Sequence, residues 1–592
     1  MSSNRLHHQK SNSNPGEIKH TAFLSEHIGA LFLNNNYSDL TLKIEDNELH
    51  AHKVILAARS EYFRALLYGG LRESTQNEIV IKDSSVEAFT ALLKYIYTGF
   101  ITLNNLKEDL ILEILGLAHQ YGFVDLEAAI SDFLKQALTI ENCCLIYDSA
   151  RLFNLKFLVQ VSAAFIDEHV LQIIKHDSFV QLSLASVKML ISRDSFFAPE
   201  IDIFMAVRSW IEANPDVSAD DQLSVLSVVR LPLMSLNELL TIVRPTGLLS
   251  PETILDAIEL QTVPQTDKIS YRGLLQPEVN MASLKLGTIV LQGEMKSALL
   301  DGNSNHYDME RGYTRHSITT PDDPGILIKL GSQCIVNHIQ LLLWDKDLRS
   351  YSYYIEVSID QKDWTRVVDH TQYYCRSWQY LYFEPRVVKF VRIVGTNNTV
   401  NKVFHIVSFE IMFTNKSFCM ENGLVVPKYN VATSNFSASV IEGVSRTRNS
   451  LLDGNTQFYD WESGYTCHQL GSGCILIQLG QPYLIDSMRM LLWDCDDRTY
   501  SYFIEVSVNM WDWELIVDKS HEMCSSWQTL FFDRRPIVFI RITGTRNSAN
   551  EVFHLVHFEC PAQTDETPCK VAKKSSMATS SSRSEPDEVT AV

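Results

Sequence analysis

The chain has 592 residues, more than one hydrophobic core organises, and its 45% apolar and 21% charged residues are the composition of globular protein arranged in several domains. Its formal charge is −20 with no long Lys/Arg run, which argues against a nucleic-acid backbone or an anionic membrane as partner. The polar N-terminus MSSNRLHHQKSNSNPGEIKH lacks the apolar core of a signal peptide, no stretch approaches the roughly 18 apolar residues of a membrane span, and the 11 cysteines never fall in paired CxxC spacing; the expectation is a cytoplasmic protein without a zinc site, a disulfide framework or a cofactor.

Residues 1–17 read as a disordered lead. The segment LSEHIGALFLNNN (24–36) then has apolar residues at helical spacing, and SDLTLKI alternates as a half-buried strand with Leu40, Leu42 and Ile44 on one face. From His52 to Leu67 the pattern predicts a helix, ended by Gly69 and Gly70. A strand at EIVIKD follows, then helices at FTALLKYIYTG and LEILGLAHQYGFVDLEAAISDFL.

This string resembles the BTB (POZ) domain over 18–136, through its D-L-x-L strand, its x-A-H-K-x-x-L-A-A-R-S-x-Y-F-R-A helix and its Y-x-Y-T-G helix end. The resemblance implies an α+β fold and a homodimer in which the helix carrying Ile28, Leu31 and Phe32 packs against its partner. It makes His52 a structural helix-entry residue. BTB domains that bind cullin-3 carry a hydrophobic residue, any residue, then Glu in the loop after that helix; in GGLRESTQNE, Leu71 and Glu73 fit. An apolar anchor beside a carboxylate that fixes register is the pattern of many interface hot spots.

Residues 137–260 continue as amphipathic helices, with TIENCCLIYDSARLFNLKFLVQVSAAFIDEHVLQII, EIDIFMAVRSWIEANP and VVRLPLMSLNELL as the clearest runs. They resemble the all-α BACK domain that follows BTB in cullin adaptors, and the resemblance implies that the helices near Asn142 to Phe153 extend the cullin contact. Cys143 and Cys144 read as small buried hydrophobes. A linker is expected at 261–284.

The C-terminal half is a duplication. LLDGNSNHYDMERGYTRH (299–316) matches LLDGNTQFYDWESGYTCH (451–468), and LLLWDKDLRSYSYYIEVS (341–358) matches MLLWDCDDRTYSYFIEVS (490–507). The offset falls from 152 to 149, which places a three-residue length change around 318–325. Short apolar and β-branched segments between Gly, Asp and Asn turns predict strands of a sandwich in each copy.

The order LDGN, ILIxLG, YxIEVSxxxxxW and FxRIxGT resembles the discoidin, or coagulation-factor C-type, domain at 285–413 and 424–562. The resemblance implies two all-β jelly-roll sandwiches with binding loops at their ends. Asp301, Asn303 and Glu410, with Asp453, Asn455 and Glu559, match a structural calcium site of some family members, although Asp-Gly-Asn is also ordinary turn chemistry. Cys419 and Cys560 stand where secreted relatives have a disulfide and are expected to be free thiols. SRTRNS (445–450) is basic but has no apolar tip for lipid. Cys467 and His468 do not form a nucleophile and base, because adjacent strand residues point to opposite faces and the first copy has Arg315 at the cysteine's place. A Ser-rich tail, 563–592, is expected to be disordered.

No Walker loop, HExxH, GxSxG or GxGxxG is present in the chain. The domains together imply a non-enzymatic adaptor of a cullin-3 RING ubiquitin ligase, dimeric through BTB, with the sandwich pair selecting an unknown protein substrate. The alternatives are a dimeric scaffold without ligase activity and lipid or glycan binding by the sandwich pair. Differences between the copies, such as Arg315 against Cys467, are where specificity is expected.

Overall fold

The structure, a computed structural model, describes residues 21–82, 84–262, 269–319, 324–447 and 449–563. The disorder expected of 1–17 and of the tail falls outside these residues, Gln563 apart. The described residues form two compact units, one lying within 1–279 together with 332–336 and 385–389, the other within 280–331, 337–384 and 390–592.

The first unit opens with helix α1 (Thr21–Gly29), strands β1 (Leu40–Ile44) and β2 (Asn47–Ala51), helices α2 (Lys53–Arg59) and α3 (Glu61–Tyr68), and strand β3 (Glu78–Ile81). The sheet order is β2-β1-β3, antiparallel then parallel. Leu40, Leu42 and Ile44 are all buried, as the alternation predicts. The continuous helix expected over 52–67 is instead two. Ser60 is extended (φ −143°), its hydroxyl accepts from the Phe63 N–H at 3.3 Å and donates to the Tyr121 carbonyl at 2.7 Å. A serine that can cap one helix and satisfy a buried carbonyl favours the break over another helical turn. Likewise the long helix expected from 112 onward is α5 (Glu108–Gln120) and α6 (Val124–Gln136), parted by Gly122 at φ +74° and preceded by α4 (Val86–Thr98).

His52 occupies the N-cap position of α2 and is buried; its Nδ1 lies 2.8 Å from the Tyr97 hydroxyl and its Nε2 2.9 Å from the Asn36 carbonyl. It joins α2 to α4 and is structural.

A second helical core begins at α7 (Cys143–Leu152) and is centred on Trp210, whose indole N–H donates to the Leu182 carbonyl at 2.9 Å. Cys143 and Cys144 are buried in it. Asn142 seals the two helical regions: its amide donates to Glu108 Oε1 at 2.8 Å and to the Ala137 carbonyl at 2.9 Å, while its oxygen accepts from the Thr139 N–H at 2.8 Å.

Within the stretch counted as linker, Arg272 is almost wholly buried. Its guanidinium makes a two-pronged pair with Glu200 (2.8 and 2.9 Å) and donates to the Ile191 and Arg193 carbonyls at 2.7 and 2.9 Å. Immediately after it, GLLQPEVNMA (273–282) aligns with GLVVPKYNVA (423–432), so the duplication starts earlier than 285. The two stretches are used alike. The Met281 N–H donates to the Ile411 carbonyl and the Ile411 N–H to Asn280 Oδ1; Val431, Cys560 and Asn430 repeat both bonds.

The first copy contains β4 (Ile289–Gln292), β5 (Thr314–Ser317), β6 (Ile326–Leu343), β7 (Tyr351–Ser358), β8 (Thr365–Cys375), β9 (Trp378–Asn398) and β10 (Val403–Met412), in order β5-β10-β6-β9-β7-β8 with β4 on β6. The second copy adds a short ribbon, β11 (Cys419–Glu421) and β12 (Leu424–Val426), then repeats the set as β13 (Ser439–Glu442), β14 (Thr466–Gln469), β15 (Ile475–Leu492), β16 (Tyr500–Ser507), β17 (Glu514–Cys524), β18 (Trp527–Asn547) and β19 (Val552–Glu559). Its pairings β15-β18-β16-β17, with β13 and β19 on β15 and β14 on β19, are those of the first.

Within the second unit the copies dock head to tail. The Arg376 N–H (2.9 Å) and the Gln379 amide (2.7 Å) both donate to the Gly480 carbonyl; Gln481 accepts from the Tyr380 N–H and donates to its carbonyl at 3.0 Å; the Tyr374 N–H donates to the Val508 carbonyl at 3.0 Å.

Removing one partner of a buried ion pair leaves an uncompensated charge and costs about 3–5 kcal/mol. Arg272→Ala should therefore lower the urea midpoint of the helical transition followed by circular dichroism, while Arg230→Ala, whose guanidinium pairs with the exposed Asp194 at 2.6 Å, should lower it less. Equal midpoints for wild type and Arg272→Ala would remove the ion pair from the account of stability.

Candidate partner-binding sites

The loop after α3 is a single 3₁₀ turn, Arg72–Thr75, with Leu71 as its N-cap. It is short and well tied. The Ser74 hydroxyl donates to the Leu71 carbonyl at 2.5 Å, the Thr75 hydroxyl to the Arg72 carbonyl at 2.9 Å, and Lys53 Nζ to the Gln76 carbonyl at 2.7 Å. The turn holds Leu71 outward, 51% exposed, with Glu73 half-buried two residues on and Tyr68 exposed at the end of α3. An apolar side chain fixed in this way binds without losing much backbone freedom.

The residues expected at the dimer interface divide. Ile28 lies at the end of α1 and is half-buried, whereas Leu31 and Phe32 follow the helix and pack against the domain's own core, Phe32 edge-on to Tyr97 at 6.2 Å. The outward apolar residues of α1 are Phe23 and Leu24, both more than half exposed. A 3.6-residue period carried past Gly29, where the helix stops, gives no signal for this.

In the sandwiches, the calcium-type residues are turn formers. Asp301 Oδ1 accepts from the Asn303 N–H at 2.8 Å, and Asn303 Oδ1 accepts from the Asn305 and His306 N–H groups at 3.2 and 3.1 Å. Asp453 and Asn455 repeat this turn, with Gln457 and Phe458 as donors. The asparagine oxygens are thus spent on backbone, and among the described residues no group of three or more His, Cys, Asp or Glu side chains is placed to hold a metal ion.

The acidic partners have diverged. Glu410 and Asp301 line a cavity of about 320 Å³ in the first copy, where burial pushes the Glu410 carboxyl above its ordinary value. In the second copy burial also acts to raise the Glu559 carboxyl, but His557 Nε2 at 3.2 Å and the Gln563 N–H at 3.1 Å prevail and hold it below its ordinary value.

Arg315 and Cys467, read as a difference in specificity, belong to a cross-strand pair that changed as a unit. Arg315 faces Glu294 with a 2.7 Å ion pair; Cys467 faces Val444. Beside it His468 is no base: its Nε2 accepts from the Gly544 N–H at 2.9 Å, as His316 accepts from Gly395 at 2.8 Å. Cys419 and Cys560 are free thiols, one exposed and one buried. In the basic loop, Arg446 lies 3.3 Å from Glu462, and Arg448 is outside the described residues.

The loop ends share a frame. Arg349 stacks on Trp344 at 4.2 Å and pairs with Asp347; Arg498 stacks on Trp493 at 4.2 Å and pairs with Asp496. The second copy adds Trp461, 4.9 Å from Arg498 and largely exposed, where the first has Met309. Composition alone gave no cue that Trp461 would cap this cluster.

Family models for the BTB/POZ domain, the BACK domain ("BTB And C-terminal Kelch") and the F5/8 type C domain match residues 28–138, 143–244 and 290–409. The human BTB/POZ domain-containing protein 9 is 54% identical over 93% of this chain and 91% of its own length. The chain belongs to the BTB/POZ domain-containing protein 9 family. The family member from Drosophila melanogaster is 53% identical over 91% of this chain and 74% of its own. Mouse Kelch-like protein 26 is 30% identical over 44% of each chain. In this family member the F5/8 type C match covers only the first sandwich; the shared strand pairings make the second one its equal in fold. Among the described residues no helix is long and apolar enough to cross a membrane.

Both sandwiches bury histidines. Burial takes His370 down to about 3, and burial together with the nearby Arg349 and Arg498 takes His405 and His554 down to about 4. These values lie below the 6.5 of a free histidine, so between them the unfolded chain binds more protons than the folded one. Stability from these groups is whole above pH 6.5 and is lost as pH falls toward 4. The thermal midpoint of the sandwich pair should be level above that window and fall through it, and His405→Gln with His554→Gln should flatten the fall. A midpoint that stays level down to pH 4 would remove the histidines from the account.

Proposed function

We propose that this chain is a non-enzymatic substrate-recognition adaptor of a cullin-3 RING ubiquitin ligase. The BTB and BACK domains hold the cullin, and the sandwich pair holds a protein substrate. Ubiquitin transfer is the work of partner subunits, and this chain supplies proximity, raised further by a BTB homodimer.

The observation that carries the reading is the Leu71 loop. An exposed leucine preset on a 3₁₀ turn, with Glu73 two residues on, supplies the apolar anchor and the register-fixing carboxylate that a helical partner needs. Leu145 and Leu152 on α7 are exposed and offer a second apolar strip in the BACK domain. The Asn142 bonds keep α7 fixed against α5, so the two strips form a constant pair. The similarity to Kelch-like proteins through the BTB and BACK regions supports the same assignment.

Binding of the purified full-length chain to the cullin-3 N-terminal domain tests the proposal by calorimetry. Hot-spot side chains contribute about 2 kcal/mol or more, so Leu71→Ala with Glu73→Ala should weaken binding about 30-fold. Wild type that does not bind, or a double variant that binds as tightly, leaves a dimeric scaffold as the better description. Proximity labelling by the full-length chain, compared with a chain ended after residue 280, should lose a defined set of proteins; those are the substrates of this reading.

A further inference from the structure

The face by which the first sandwich grips the second exists twice in the chain. Residues 374–382 of the first copy correspond to 523–531 of the second. The connecting turn has the same shape, with Ser377 left-handed at φ 62° and Ser526 at φ 54°. The donor is prepared in the same way as well. In the first copy the Tyr353 hydroxyl donates to Gln379 Oε1 at 3.1 Å, and the Gln379 Nε2 donates to the Arg376 and Trp378 carbonyls and, at 2.7 Å, outward to Gly480. In the second copy Tyr502 holds Gln528 Oε1 at 3.3 Å and the Gln528 Nε2 donates to the Ser525 and Trp527 carbonyls at 3.0 and 3.1 Å. The outward bond has no counterpart among the described residues.

Cover is what differs. Gln379 is fully buried, while Met523 and Phe531, at the positions of Tyr374 and Tyr382, are 73% and 72% exposed. Single exposed apolar side chains are ordinary. Here there are two, one at the position where Tyr374 meets the sister copy and one at the position where His338 and Phe418 stack on Tyr382; beside a preset amide donor they form a surface with apolar anchors and one polar contact that fixes direction. Lys519, Glu522, Asp533 and Arg534 flank it with charges of both signs, which gives no preference for an anion or a lipid headgroup.

We propose that residues 523–531 of the second sandwich are a protein-docking face. Its occupant is a different protein that offers an extended segment with an unpaired backbone carbonyl, gripped as the first copy grips Gly480 and Gln481. The proposal rests on the reading that the sandwich pair binds a protein, and it assigns where. A second copy of this chain does not suit: the acceptor segment of the second sandwich is already engaged by the first, and in the first sandwich Ser332 stands for Gln481 and Lys329 for Gln478.

The test uses the full-length chain and each purified protein whose labelling is lost on truncation after residue 280. Met523→Glu with Phe531→Glu should weaken binding by about 10-fold or more, the scale of one buried apolar anchor. Phe458→Ala with Trp461→Ala, at a loop end of the same sandwich, should leave it unchanged. Hydrogen exchange of the wild type should slow in 523–531 when the partner binds, a measurement independent of whether the charged variant folds. Unchanged affinity and exchange overturn the docking face while leaving the protein-binding reading intact, as does loss of binding in the loop-end variant alone. Self-association in sedimentation that Met523→Glu abolishes overturns it in favour of a second copy, and wild-type binding to phosphatidylserine vesicles that the variant loses overturns it in favour of lipid. If truncation loses no protein, the protein-binding reading falls and the face falls with it.

Discussion

The Gly480 carbonyl accepts two hydrogen bonds from the first sandwich, and the arrangement of the C-terminal half depends on that oxygen. A carbonyl removed from water must be satisfied, and here both donors come from the sister copy. The position also has to be glycine. A Cβ at 480 would meet the Phe436 carbonyl at 2.9 Å and the Ser437 Cβ at 3.0 Å. The contact is therefore short and directional, and it tolerates neither a side chain nor a slip in register. Around it Gln478 donates to the Ser350 hydroxyl at 2.9 Å and the Trp511 indole to the Tyr374 hydroxyl at 3.3 Å. Two domains held by interlocking polar contacts of this kind behave as one body, so a ligand of either copy meets a single surface.

The sequence made the repeat legible because the turns and strand tryptophans that build a sandwich are the same in both copies. Comparison of the copies could not reveal the contact between them. A head-to-tail contact uses the donor face of one copy and the acceptor face of the other, so each copy carries only half of it: Tyr380 and Gln481 are replaced by Thr529 and Ser332 at the matching positions, while Gln379 and Gly480 recur as Gln528 and Gly331 without marking the contact. The start of the repeat at 273 was hard to see for a related reason. GLLQPEVNMA and GLVVPKYNVA share mainly Gly, Leu, Pro, Asn and Ala, which are common residues, and the segment is recognisable chiefly by the paired bonds of Asn280 and Asn430.

In the N-terminal region, apolar periodicity located the helices but not their breaks. The breaks lie at Ser60 and Gly122, where side-chain capping and a left-handed glycine outweigh local helix propensity. The same limit affects the candidate sites. The outward position of Leu71 follows from its loop, which the neighbouring Ser74 and Thr75 hydroxyls tie to backbone carbonyls. The apolar periodicity of 24–36 runs on past Gly29, where the helix ends, and Leu31 and Phe32 there pack partly against the domain's own core. Asn303 shows a residue type suited to a cation serving its own backbone turn instead.

Two domains related by a head-to-tail contact carry a polarity that a two-fold pair does not have. Applied again and again, a head-to-tail operator of this kind generates either a ring or an open helical filament, never a closed two-fold pair. Repeat proteins end such series with terminal units altered on one side. Here the first sandwich has Ser332 in place of the gripping glutamine and places the charged Lys329 on the matching strand. On that strand the first sandwich therefore lacks the side chains that the second offers to its sister copy.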